Sequence, residues 1–146
     1  MTIEEAKNTI INLLKNDRSI VERKSDKRLI VNGYNYQIRP DEAFYYNDKV
    51  FIVEYENNKR PVESISKYHW LFKETAWLNQ GLVIYLLFII CNEDLERKYP
   101  IRTKSVEILG YDLSQKYQEK FNFSFINYSE LKTAQLENAV QSMLGM

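Results

Sequence analysis

The chain has one cysteine, one histidine, four glycines and three prolines in 146 residues. The single cysteine, Cys91, excludes a disulfide scaffold and a cysteine-rich zinc cluster. The single histidine, His69, excludes two-histidine metal motifs. It also makes a Ser-His-Asp or Cys-His hydrolase rest on that one residue. So little glycine and proline argues against a linker-rich or low-complexity chain. Neither sign of charge dominates, with 20 basic against 20 acidic residues. A globally basic nucleic-acid binder is thereby disfavoured, although a local basic patch can coexist with acids. The longest apolar run, LVIYLLFIIC over residues 82–91, has ten residues. A membrane-spanning helix needs about 20. The opening stretch, MTIEEAKNTI, places acids where a secretory signal carries basic residues. The expectation is a cytoplasmic protein without a membrane segment.

What is present is 45% hydrophobic, 27% charged and 14% aromatic residues, the composition of a globular domain. No repeat or linker divides it, so one domain over 1–146 is expected, with a core over 1–92 and residues 93–146 completing the sheet. Residues 3–15 read as an amphipathic helix, opened by Thr2 and Glu5 at capping-box spacing. Short strand-like stretches follow at Arg28–Val31, Tyr34–Ile38 and Ala43–Tyr46, with Asn32-Gly33 and Asn47-Asp48 as turns. Residues 49–56, KVFIVEYE, alternate cleanly: Val50, Ile52, Glu54 and Glu56 share one face, Phe51, Val53 and Tyr55 the other.

Pro61 suits a helix start, residues 62–79 read as a helix stopped by Gly81, and residues 82–91 as a strand buried on both faces. Residues 103–120 read as a short helix or strand, 121–126 as a strand and 129–144 as an amphipathic helix. A strand–helix–strand crossover requires parallel pairing, whereas the hairpins before it are antiparallel. The predicted fold is α/β, a mixed sheet of about four to five strands flanked by helices.

Asp41, Glu54 and Glu56 are the chemical candidates. A hairpin centred on residues 47–48 pairs residues whose numbers sum to about 95, which sets Asp41 opposite Glu54. Three converging carboxylates repel one another. A divalent cation such as Mg²⁺ is the usual reason to gather them, since it takes carboxylate, water and phosphate oxygens.

The stretch RPDEAFYYNDKVFIVEYENN resembles the core of the PD-(D/E)XK nuclease superfamily. Pro40-Asp41 matches the "PD", and Glu54-Tyr55-Glu56 stands at the "(D/E)-X-K" position. The resemblance covers roughly residues 1–92 and implies a restriction-endonuclease-like αβββαβ core. The departure is Glu56 where the family usually has lysine; a Glu-X-Glu form occurs in some restriction endonucleases of this fold. The string PVESISKYHWL is similar to replication-relaxation-type members, in which an acid pair is followed by a helix carrying Lys-Tyr.

On that resemblance the chain is expected to be a Mg²⁺- or Mn²⁺-dependent DNA endonuclease. Asp41 and Glu54 would ligate the metal. Glu56 would ligate a second metal or hold the attacking water. Lys67 would position water or phosphate, Lys59 and Arg60 would contact the DNA backbone, and Glu5 or Glu4 would supply an extra acid. Sequence specificity in so small a chain calls for a homodimer or for membership of a larger DNA-processing complex. The alternative is a catalytically inactive nuclease-fold protein that binds DNA or other proteins.

Plainer readings stand beside these. Asp41 after Pro40 also suits an Asx turn, Glu54 and Glu56 a solvated strand end, and Lys67 a solvated helix face. His69 beside Trp70 reads as packing, and Cys91 as a small core residue. The tyrosines, including Tyr34, Tyr36, Tyr45, Tyr46 and Tyr55, read as strand residues, and Arg23-Lys24, Lys27-Arg28 and Arg97-Lys98 as solvated charge.

Overall fold

The computed structural model describes residues 1–25, 29–30, 37–73 and 83–146, with the backbone alone for 25, 29–30 and 37–38. Thr2 caps α1 (Ile3–Leu14): its hydroxyl accepts the Glu5 amide at 3.1 Å, satisfying one of the orphan donors of the first turn. The strands are β1 (Glu22–Ser25), β2 (Leu29–Ile30), β3 (Gln37–Ile38), β4 (Glu42–Tyr45) and β5 (Lys49–Glu56). Then come α2 (Pro61–Lys73), β6 (Val83–Ile90), α3 (Glu93–Lys98), α4 (Pro100–Lys116), β7 (Phe121–Ile126), a 3₁₀ turn (Tyr128–Glu130) and α5 (Thr133–Leu144).

The main sheet has the order β1-β4-β5-β6-β7. β1–β4 and β4–β5 are antiparallel, and β5–β6 and β6–β7 parallel. The fold is thus α/β with a mixed five-stranded sheet flanked by helices, as expected. The β4–β5 register pairs Glu42 with Val53, Ala43 with Ile52, Phe44 with Phe51 and Tyr45 with Val50. Every pair sums to 95, the register expected for a turn at Asn47-Asp48.

The sheet separates two cores. On one face Ala43, Val50, Ile52, Leu86 and Phe88 pack under α2 and α4 through Ile65, Tyr68, Phe72 and Val106. On the other Phe44, Phe51, Val53, Tyr55 and Leu87 pack under α1 and α5 through Ala6, Ile10, Leu136 and Val140. β6 lies between two parallel neighbours with both faces covered, so its near-continuous apolar sequence is what its position requires. No helix among the described residues is long and apolar enough to cross a membrane.

Several expectations need correction. The sheet's first strand is Glu22–Ser25, a stretch for which no strand was expected, and Arg23-Lys24, expected as solvated charge, belongs to it. The Arg23 guanidinium and the Lys24 ammonium lie over the Phe44 and Tyr45 rings, and their charge suits a strand with no further neighbour among the described residues. Leu29–Ile30 and Gln37–Ile38 pair with each other in a separate two-stranded sheet. Asn32-Gly33, Tyr34, Tyr36, Lys27-Arg28, Gly81 and the end of the helix expected over 62–79 lie outside the described residues. The 103–120 stretch is the 17-residue helix α4, preceded by the short α3. Cys91 is half-buried rather than fully in the core, and burial pushes its thiol up to about 12.

Candidate functional site

Strand alternation and the crossover together build the site. Val50, Ile52, Glu54 and Glu56 share the face covered by α2, so the strand begins in the core and ends in two carboxylates at its C-terminal end. Asp41 lies one register step beyond the Glu42–Val53 pair, opposite Glu54. Its Oδ2 accepts the Tyr55 amide at 2.7 Å. The Asn57–Arg60 turn carries the chain to α2, whose first turns lie over the same strand end. An open cleft of about 690 Å³ results, lined by Arg39, Asp41, Glu54, Glu56, Lys59, Ser64 and Lys67 among others. A larger groove of about 1000 Å³ lies at the opposite end of β5, around Asn47, Asp48 and Lys49, and gathers no comparable set of carboxylates.

Glu54 is only 4% exposed. Its Oε1 accepts the Tyr68 hydroxyl at 2.6 Å and faces the Lys67 ammonium at 2.7 Å. Burial pushes its carboxyl up to about 7, against the opposing pull of Lys67 and with a further push from Asp41. Glu56, 6% exposed, accepts the Ser64 hydroxyl at 2.6 Å and the Asn58 amide at 2.9 Å. Burial raises its carboxyl too, with Asp41 adding to the push. Glu54 and Glu56 therefore both feel the Asp41 charge across the cleft. Lys67 also reaches the Arg39 carbonyl at 3.5 Å.

The structure thus brings Asp41, Glu54, Glu56, Lys67 and Lys59 to one cleft. Arg60 does not line it: its guanidinium is exposed and lies 3.5 Å from Glu63. Glu5 does not line it either, because α1 packs against the opposite sheet face. Glu4, on the same helix, is likewise absent from its lining. His69 contacts the Leu109 carbonyl at 3.2 Å, a packing position between α2 and α4. Two partners escaped the sequence reading, Ser64 and Tyr68. Their signal was helical spacing, since 64, 67 and 68 share the sheet-facing side of α2.

The hard-oxygen donor set of Asp41, Glu54 and Glu56 fits a divalent cation in chemistry and charge. Among the described residues no three acidic, His or Cys side chains are already grouped as a ligand set.

Glu42 sits across the sheet from this cleft. It is buried, and both its oxygens accept from the Arg23 guanidinium at 3.0 and 3.2 Å. Nearby, the Tyr55 hydroxyl is buried without a hydrogen-bond partner among the described residues. Comparison of the chain with models of protein families, with curated proteins and with solved structures finds no match in any of the three.

Proposed function

We propose that the chain is a metal-dependent deoxyribonuclease with a PD-(D/E)XK-type core, hydrolysing DNA phosphodiesters. The observation that carries this reading is the convergence of Asp41, Glu54, Glu56 and Lys67 on one open cleft at the end of β5. The order of helix, antiparallel strands, crossover helix and parallel strand supports it. Asp41 and Glu54 would hold Mg²⁺ or Mn²⁺, and Glu56 would hold a second ion or orient the attacking water. A bound divalent cation supplies Lewis-acid charge that favours water as nucleophile and stabilises charge building on the phosphate. Lys67, which reaches Glu54 from α2, stands in for the lysine absent at position 56 and positions water or phosphate. Tyr68 fixes the Glu54 carboxylate from behind. Lys59 offers a cation to the DNA backbone at the cleft edge.

A second reading, an inactive nuclease fold that binds DNA or protein, is favoured by one observation. Glu54 and Glu56 already have short protein partners. Mn²⁺ titration calorimetry at pH 7.5, run beside cleavage of supercoiled DNA, separates the two. Saturable Mn²⁺ binding lost in Asp41→Asn, together with metal-dependent nicking, supports the nuclease. Absence of both metal binding and nicking supports the inactive fold.

A further inference from the structure

The two edges of the main sheet are treated differently. β1 carries Glu22, Arg23 and Lys24, three charges in a four-residue strand. Charge on an edge strand opposes pairing with another chain. β7 reads FNFSFI, without a charge, a proline or a glycine. Among the described residues β6 is its only neighbour in the sheet. Beside it runs a groove of about 700 Å³ between α4 and α5, in which Glu130 is the only charged lining residue among those described. A nucleic-acid backbone or an acidic peptide finds no cation among these residues, and a basic peptide finds a single acid, Glu130.

We infer that the β7 edge is a self-association surface, on which a second copy of this chain pairs antiparallel through a two-fold axis and continues the sheet. The strand is self-complementary in that arrangement. A dyad through Phe123 preserves the sheet faces, because it pairs residues of like parity. Phe123 then meets Phe123, Phe121 meets Phe125, and Asn122 meets Ser124. Aromatic faces aromatic on one side of the sheet and polar faces polar on the other. The flanking helix agrees. Phe121 and Phe123 belong to the face packed by α4, and that helix exposes Ile108 (50%) and Tyr111 (43%) one turn apart. Tyr111 packs edge-on against Phe123, with ring centroids 5.1 Å apart. Its hydroxyl meets the Phe125 amide, which pairing would hand to a strand carbonyl. In the dimer the Ile108 and Tyr111 side chains of both copies lie on the same sheet face beside the axis, as an isologous interface requires. The carboxylate cleft, at the end of β5, is not part of this edge, so the inference stands apart from the nuclease reading.

Sedimentation velocity over a concentration series tests it. Wild type is expected at twice the 17.5 kDa of one chain. Asn122→Lys with Ser124→Lys sets lysine against lysine across the axis and should weaken dimerisation about tenfold or more. Asn122→Lys with Ser124→Asp sets lysine against aspartate and should restore it. Ile108→Lys, at an exposed helix position, should also favour the monomer. Circular dichroism melts confirm that each variant is folded. A wild-type chain that stays monomeric up to roughly 100 µM, weaker than a standard specific interface, overturns the inference. So does a dimer equally stable in the Lys/Lys and Lys/Asp variants.

Discussion

At the residue scale, the unusual group is Glu54, held inside the protein with one lysine and one tyrosine on a single oxygen. Its carboxyl sits at about 7 rather than the ordinary 4.5. The folded state therefore takes up the proton more readily than the unfolded chain between those values. The contribution of this group to stability is fullest below pH 4.5 and is lost as pH rises through 7, a change of about 3 kcal/mol. Glu54→Gln should remove that slope in metal-free buffer. The variant should gain on wild type progressively from pH 4.5 to 8 in urea titrations, and parallel curves would refute the assignment. Tyr55 offers a contrasting case on the other face. Its hydroxyl is buried and has no hydrogen-bond partner among the described residues, so it carries a desolvation cost with no bond from them in return. Tyr55→Phe should leave the fold intact and raise stability by about 1 kcal/mol, read as a shift in the urea midpoint. A loss of similar size would show that the hydroxyl has a partner after all.

The acids were legible in the sequence because strand alternation and a two-residue turn fix both face and register. Asp41 and Glu54 could be set opposite each other by arithmetic on residue numbers. For Tyr68 and Ser64 helical spacing gave only a shared face with Lys67; their contacts with the acids were not legible, because spacing along a helix does not fix the distance across a crossover.

At the element scale, what was hidden has two physical causes. β1 lacks apolar alternation, since an edge strand keeps its charges for the solvent. α4 carries Ile101, Ile108 and Tyr111 on its exposed side while Val106 and Leu113 are buried. Hydrophobic residues on both sides blur the 3.6-residue period that marks a helix. α4 also depends on a close approach: a Cβ at Gly110 would stand 2.2 Å from the Phe123 ring. Phe123 packs in the core against β6 and α4, so the ring has little room to yield. Gly110→Ala should therefore destabilise the protein by about 1–3 kcal/mol despite alanine's better helix propensity. A gain in melting temperature for that variant would mean that α4 and β7 can separate freely.

At the scale of the whole molecule, the sheet divides its tasks by direction. The C-terminal end of β5 opens into the carboxylate cleft, the β1 edge is guarded by charge, and the β7 edge is left neutral. Zero net charge means that long-range attraction to DNA is small, so affinity should come from the cleft and the cations it gathers. If the proposed site binds DNA, it should do so weakly without divalent metal and with a shallow salt dependence, because few phosphates are neutralised. Fluorescence anisotropy with labelled duplex in EDTA checks this, and tight metal-free binding would contradict it. The most direct test of the central claim is cleavage of supercoiled DNA by the purified chain with Mg²⁺ or Mn²⁺, with Glu54→Gln alongside. Metal-dependent nicking by wild type is expected, with a loss of about 100-fold or more in the variant. Equal nicking by both proteins, or none by wild type under either metal, would contradict it.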